Sequence, residues 1–237
     1  MNDLDRLTKE IQGQANPRQA LILQRFFKTG EGQYGAGDRF LGLKVPLQRT
    51  LARKYAHLDR KSVQHLLNSQ YHEFRLIALM ILIEQYEAAS DLKAKGRIVD
   101  FYLKNTKRIN NWDLVDLSVY KILGDYLWFV PAKKLILKRL AVSKNLWERR
   151  LAMIATYAFI QKGRSEETIL IAKKLLNDSH DLMHKAVGWM LREMGKRVSE
   201  KTLTDFLDEY GAKMPRTALR YAIERLSPVQ KKHYLGR

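Results

Sequence analysis

Five ten-residue windows recur along this chain at nearly constant spacing, and no other feature limits its fold as much. EFRLIALMIL begins at Glu73, NWDLVDLSVY at Asn111, WERRLAMIAT at Trp147, MHKAVGWMLR at Met183 and MPRTALRYAI at Met214, so successive starts lie 38, 36, 36 and 31 residues apart. Apolar residues fall at helical spacing in and beside them, as in Leu76, Leu79, Met80 and Ile83, with Lys, Arg and Glu between. Alternating strand-like runs bounded by hairpin turns are missing, and Pro occurs only five times. The expectation is an all-α chain of helices of about 10 to 18 residues joined by short loops. A period near that of HEAT repeats stacks helical pairs into a right-handed α-solenoid, whose second helices line a concave and here basic groove. No Pro/Ser-rich linker interrupts the sequence, so residues 1–237 read as a single HEAT-like repeat domain.

The register of the repeat singles out one window. Its third position reads Arg75, Asp113, Arg149, Lys185 and Arg216, and its sixth reads Ala78, Asp116, Ala152, Gly188 and Leu219. The second window therefore reverses the charge at one position and places a carboxylate where its siblings carry small or apolar side chains. A charge at a packing position costs several kcal/mol unless it is solvated or partnered, and such local departures are where function is expected. Trp112 and Asp116, four residues apart, share one helix face. An aspartate beside an indole suits a cation.

Charge says what would carry that cation. Lys and Arg number 43 against 25 Asp and Glu, a net charge of +18. Solubility asks for only about 2 to 8 in a small domain, so a polyanion, in the first place nucleic acid, is the expected partner. The basic residues are spread along the chain and not gathered into one membrane-surface segment, and no apolar run approaches the ~18 residues of a membrane span. The absence of Cys excludes disulfides, thiolate metal sites and a Cys nucleophile. Met1 to Glu10 is charged and polar, unlike a signal peptide, and a cytoplasmic, nucleoid-associated location is expected. Arg75, Arg149, Arg150, Lys185, Arg192, Arg216 and Arg220 fall on the proposed second helices, where a positive trough would track a phosphate backbone. For each one the alternative is an ordinary solvated helix charge.

FFKTGEGQYGAGDRFLGLKVP from Phe26, NWDLVD from Asn111, LWERR from Leu146 and KAVGWMLRE from Lys185 together resemble the AlkD family of DNA alkylation repair glycosylases, in the same order and over almost the whole chain. The resemblance implies a HEAT-like monomer, without cofactor or metal, that hydrolyses the N-glycosidic bond of cationic N3- or N7-alkylated purines in duplex DNA. It maps the family's catalytic residues onto Trp112, Asp116 and Trp189, and its groove arginine onto Arg150. Arg192, three residues after Trp189, would be a second phosphate ligand, and the lesion would stay in the duplex without base flipping. Some members carry a tryptophan where this chain has Asn111 and a tyrosine where it has Phe26. Leu4 to Phe27 reads as two amphipathic helices separated near Asn16-Pro17, the DNA-contacting portion of the family.

Three other features invite functional readings. Five glycines between Gly30 and Gly42 suggest a phosphate-cradling loop, but the Gly-Lys-Ser/Thr ending and the preceding strand of a P-loop are missing. A structured connector is expected there, with Tyr34 able to touch DNA backbone. His180 and His184 have a zinc-compatible spacing without a third ligand or an HExxH pattern. Asp113 is open to two readings, a second active carboxylate or a helix-start residue favoured by the macrodipole. The latter is preferred, because one face cannot hold 112, 113 and 116 equally.

Overall fold

The computed structural model describes residues 1–236. They are all-α, and strand pairing among them is limited to an isolated bridge between Arg39 and Tyr71. Two compact units emerge, Met1–Leu114 and a second that begins at Val115.

The first unit contains α1 (Asp3–Gly13), α2 (Pro17–Phe26), α3 (Val45–Lys54), α4 (Arg60–Leu67), α5 (His72–Glu87), α6 (Leu92–Lys104) and the first turn of α7 (Trp112–Val119). Side chains that satisfy the otherwise unbonded first-turn amides set the helix starts. Asn2 forms a reciprocal box with Asp5, Asn16 accepts from the Gln19 amide ahead of Pro17, and Asp59 and Asp91 accept from Ser62 and Ala94. The two amphipathic N-terminal helices expected on either side of Asn16-Pro17 are therefore present. α3, α4 and α6 pack on α5, in which every residue from His72 to Ile83 is buried. That helix has no polar face because protein covers it all round.

Three of those buried α5 residues are ionisable, and each has a partner. Glu73 accepts from the amides of Leu41 (3.0 Å), Gly42 (2.8 Å) and Leu43 (3.3 Å). Gly42, at φ +90°, could not carry a side chain, since a Cβ there would lie 2.2 Å from the Asn16 carbonyl oxygen. The glycine-rich segment is thus the structured connector expected, with its amides turned onto an internal carboxylate.

The second unit takes up the rest of α7 and runs through a π-helical turn at Tyr120–Gly124 into α8 (Asp125–Phe129). α9 (Leu135–Ala141), α10 (Leu146–Ala155), α11 (Tyr157–Gln161), α12 (Glu166–Leu175), α13 (Asp181–Arg197), α14 (Glu200–Tyr210), α15 (Arg216–Ala222) and α16 (Pro228–Leu235) follow. The sequence repeat reappears here as packing: α10 lies on α13 and α13 on α15, with α9 against α10 and both α12 and α14 against α13. The packing of α13 on α15 needs a glycine. A Cβ at Gly188 would sit 2.3 Å from the Ala218 carbonyl oxygen and 2.5 Å from Tyr221 Cβ, and neither backbone nor Cβ can move away cheaply. Gly188→Ala is therefore expected to destabilise the protein by about 1–3 kcal/mol through overpacking. An unshifted urea midpoint would contradict that expectation.

Candidate functional site

Trp112 opens α7, and the first unit encloses it from several sides. Its indole stacks on Phe27 at 5.3 Å between centroids, Phe27 stacks on Phe40 at 5.0 Å, and Phe40 stacks on the imidazole of His72 at 4.7 Å. Phe26, at the end of α2, meets the indole edge-on at 5.9 Å and is itself 61% exposed. Such offset and edge contacts suit the aromatic quadrupole. The Phe26 position thus adjoins Trp112, and Tyr34 donates its hydroxyl to the Phe26 carbonyl at 3.4 Å.

Polar contacts hold both chain neighbours of Trp112. Asn111 is buried, accepts from the Trp112 amide (2.8 Å) and donates to Asp38 Oδ2 (3.2 Å). Asp113 Oδ2 meets His72 Nε2 at 2.8 Å, while His72 Nδ1 lies 3.2 Å from Asp38 Oδ2. Arg75 donates to Asp38 Oδ1 (2.6 Å) and to the Ser69 carbonyl (3.0 Å). Burial works against the Asp38 carboxylate, but the His72 hydrogen bond and the Arg75 charge outweigh it and hold its pKa below the ordinary value. Asp113 is accordingly tied into a buried charge cluster, an arrangement beyond the macrodipole reading.

Asp116 lies one turn after Trp112 on α7. Within the second unit Arg150 grips it with a planar fork, Nε to Oδ1 at 2.8 Å and Nη2 to Oδ2 at 2.7 Å. The same guanidinium donates through Nη1 to the Leu182 carbonyl (2.6 Å), the second residue of α13. The Asp116 side chain keeps 15% of its surface exposed against 6% for Arg150, so the carboxylate is the outer member of the pair. Arg150 was expected to hold phosphate; its guanidinium instead binds and orients the candidate catalytic carboxylate.

An aromatic row lies within the second unit. Tyr120 meets Tyr157 edge-on at 5.2 Å, and Tyr157 lies 6.4 Å from the half-buried indole of Trp189. Arg197 covers the Tyr157 ring at 5.5 Å and is anchored by Glu193 at 3.0 Å. The row begins in the π-helical turn, a distortion frequent at functional sites.

The remaining candidate cations differ in how they are held. Arg75 is 3% exposed. Arg149 binds Asp178 through Nε (2.6 Å) and the Ser143 carbonyl through Nη1 (3.0 Å). The repeated third position thus carries, in these two windows, an arginine that fastens the start of its own helix to the preceding loop. Arg192 pairs with Glu193 and Glu224, Lys185 with Asp181, and Arg216 donates to the Leu235 carbonyl from an exposed site. Arg220 is exposed. His180 Nδ1 accepts from the Leu182 amide as the cap of α13, and His184 bonds the Asp178 carbonyl.

Sequence reasoning missed Asp38, His72, Tyr120 and Tyr157, along with Arg18 and Arg25, which are exposed on α2. Asp38 and His72 lie 34 residues apart outside the repeat register, so no spacing links them. The signal available for the α2 pair was an arginine at each end of a short helix that also exposes Leu21 and Ile22.

An all-α protein, one of whose recurring sequence windows departs from the others with an indole and a carboxylate, is the class these features define. The chain belongs to the DNA alkylation repair enzyme family, whose model matches residues 7–226. In fold it is similar to a solved structure described as a predicted DNA alkylation repair enzyme from Enterococcus faecalis, at 16% identity with a TM-score of 0.68, covering 91% of this chain and 98% of that one. No curated protein matches the chain.

Proposed function

We propose that this repair enzyme is a DNA glycosylase that releases cationic N3- or N7-alkylated purines from duplex DNA. The observation that carries the reading is the Asp116 carboxylate, held in the Arg150 fork with more of its surface exposed than the arginine's, one turn after Trp112 on the same helix. An alkylated purine already bears positive charge, so the departing base needs no proton from a general acid. When the C1′–N9 bond breaks, its electron pair neutralises the base and leaves positive charge on the sugar. Water then adds at C1′ and loses a proton to solvent, leaving an abasic site.

Asp116 would stabilise the sugar cation electrostatically, a role that rewards a fixed charge in a partly water-excluded setting. The indole face of Trp112, on the helix that carries Asp116, would add cation–π attraction of roughly 0.5–2 kcal/mol, and Trp189 of α13 is the other proposed catalytic residue. Selectivity then rests on the lability of the cationic nucleotide, and the lesion need not leave the helix. Lys185, Arg192, Arg216 and Arg220, with Arg18 and Arg25 of α2, are the proposed phosphate contacts, and Phe26 and Tyr34 the proposed contacts beside Trp112.

One observation favours a second reading, a non-catalytic binder of damaged duplex DNA: both Asp116 oxygens already face a guanidinium, which weakens the carboxylate's field. Chromatographic detection of free 7-methylguanine or 3-methyladenine after incubation of the native protein with alkylated duplex separates the two. Release of base is expected. No release, alongside duplex affinity that falls steeply with salt, would establish the binder instead.

A further inference from the structure

Trp112 is held through its ring, through Asn111 before it and through Asp113 after it, and all three routes reach His72. The ring route is the column Trp112, Phe27, Phe40, His72. The chain routes run from Asn111 through Asp38, and from Asp113 directly. Both imidazole nitrogens of His72 therefore face carboxylate oxygens, at 3.2 Å and 2.8 Å. A neutral imidazole has one N–H and one lone pair, and would set that lone pair against an anion. Only the imidazolium donates to both.

The two carboxylates depend on it unequally. Asp38 also receives Arg75 and Asn111. Asp113 has its second oxygen, Oδ1, buried without a hydrogen-bond partner among the described residues, so His72 supplies most of the compensation for its charge.

We infer that His72, doubly protonated between Asp38 and Asp113, is a positioning residue for Trp112, fixing the first turn of α7 and the attitude of the indole toward a cationic nucleotide. The kinetic consequence rests on the glycosylase reading; the placement of charge and ring does not. Asp113 of α7, Asp38 of the connector and Arg75 of α5 are the charged groups that face His72, and Phe27 and Phe40 cover it with neutral rings. Burial by itself would lower the imidazole pKa and Arg75 lowers it further, but Asp113 and then Asp38 outweigh both and raise it to about 9. The folded-state value lies above that of a free histidine. The cluster is therefore intact at neutral pH, and the order it imposes is lost as pH rises through about 9.

The test uses native protein labelled with 15N-histidine and 5-fluorotryptophan. His72→Gln and Trp112→Phe serve to assign the two signals. Both His72 ring nitrogens are expected to be protonated near neutral pH, and the Trp112 fluorine resonance to shift with the same midpoint near pH 9 as His72. Asp113→Asn retains the shape but removes one anion. It should lower the His72 midpoint by about two units, broaden the Trp112 resonance at about pH 8, and reduce kcat for base release about tenfold there with KM little changed. Lowering the pH to about 6, where the imidazolium returns, should restore kcat.

An ordinary histidine titration near 6.5, or a Trp112 resonance indifferent to the His72 titration, would overturn the inference. So would Asp113→Asn with native kcat and pH profile. Should His72→Gln fail to fold, the native titration and the Asp113→Asn variant still decide. Native protein that released no base would remove the glycosylase reading alone, and the two resonances would decide the role of His72 without it.

Discussion

Asp116→Asn is expected to slow release of 7-methylguanine from duplex DNA by about 10²–10³-fold while leaving duplex affinity nearly unchanged, the scale on which fixed electrostatic contacts act in other active sites. The substitution keeps size and shape and removes the charge. The carboxamide oxygen can still accept from Arg150 Nε, but the amide nitrogen then confronts Nη2, donor against donor, where a 2.7 Å ion pair stood. Some stability is lost with it, so rates should be compared where circular dichroism shows both proteins folded. A rate within a few-fold of native would sink the electrostatic role. Loss of binding in step with rate would instead make Asp116 part of the docking surface.

Arg150 carries the second large expectation. Arg150→Met should destabilise the protein by about 3–5 kcal/mol, because removing one member of a buried pair strands the other. It also releases the Leu182 carbonyl at the start of α13, the helix that bears Trp189. Arg150→Lys keeps the charge but has a point ammonium in place of the fork, so Asp116 should stay ionised yet lose its fixed orientation. The double variant Asp116→Leu with Arg150→Met replaces the pair by apolar volume and should regain part of the lost stability while showing no base release. Urea unfolding of the native protein, these three variants and Asp116→Leu alone checks the series. If Arg150→Met unfolds at the native midpoint, or the double variant is less stable than the two single losses combined, the buried-pair account fails.

The parts of this protein that could be read in sequence are those with a period. Leu76, Leu79, Met80 and Ile83 marked α5 by spacing and are all buried, and the last three recurring windows reappear as α10, α13 and α15 packed in turn. Asn16-Pro17 marked a helix start because a capping side chain and a fixed φ are local properties. The departure of Asp116 from its register was equally visible, since it needs only the siblings for comparison. What stayed hidden was pairing across distance. Arg75 and Arg149 looked like groove cations because a helical pattern does not say where a long side chain ends; Asp38 and Asp178, which claim them, lie 37 and 29 residues away. Asp113 was judged from its position at a helix start, while its partner His72, 41 residues earlier, had no motif to announce it. The π-helical turn after Val119 was illegible for another reason: one extra residue in a turn leaves an apolar pattern almost intact.

Glu73 and the amides of Leu41, Gly42 and Leu43 have a counterpart in how the protein should respond to ionic strength. Their contact is buried and local, out of reach of mobile ions whose screening length at physiological salt is about 8 Å. The same holds for Asp38 with Arg75 and for Asp116 with Arg150. Exposed Arg18, Arg25, Arg216 and Arg220 stand in solvent, where salt competes directly. A strongly basic protein is commonly treated as one diffuse charge, but here the charges fall into two populations with different addressees. One is insulated and shapes the molecule; the other is open to the medium, and it alone should tune how long the protein lingers on a polyanion. Raising the salt would then free the protein from DNA without loosening the connector or the aspartate.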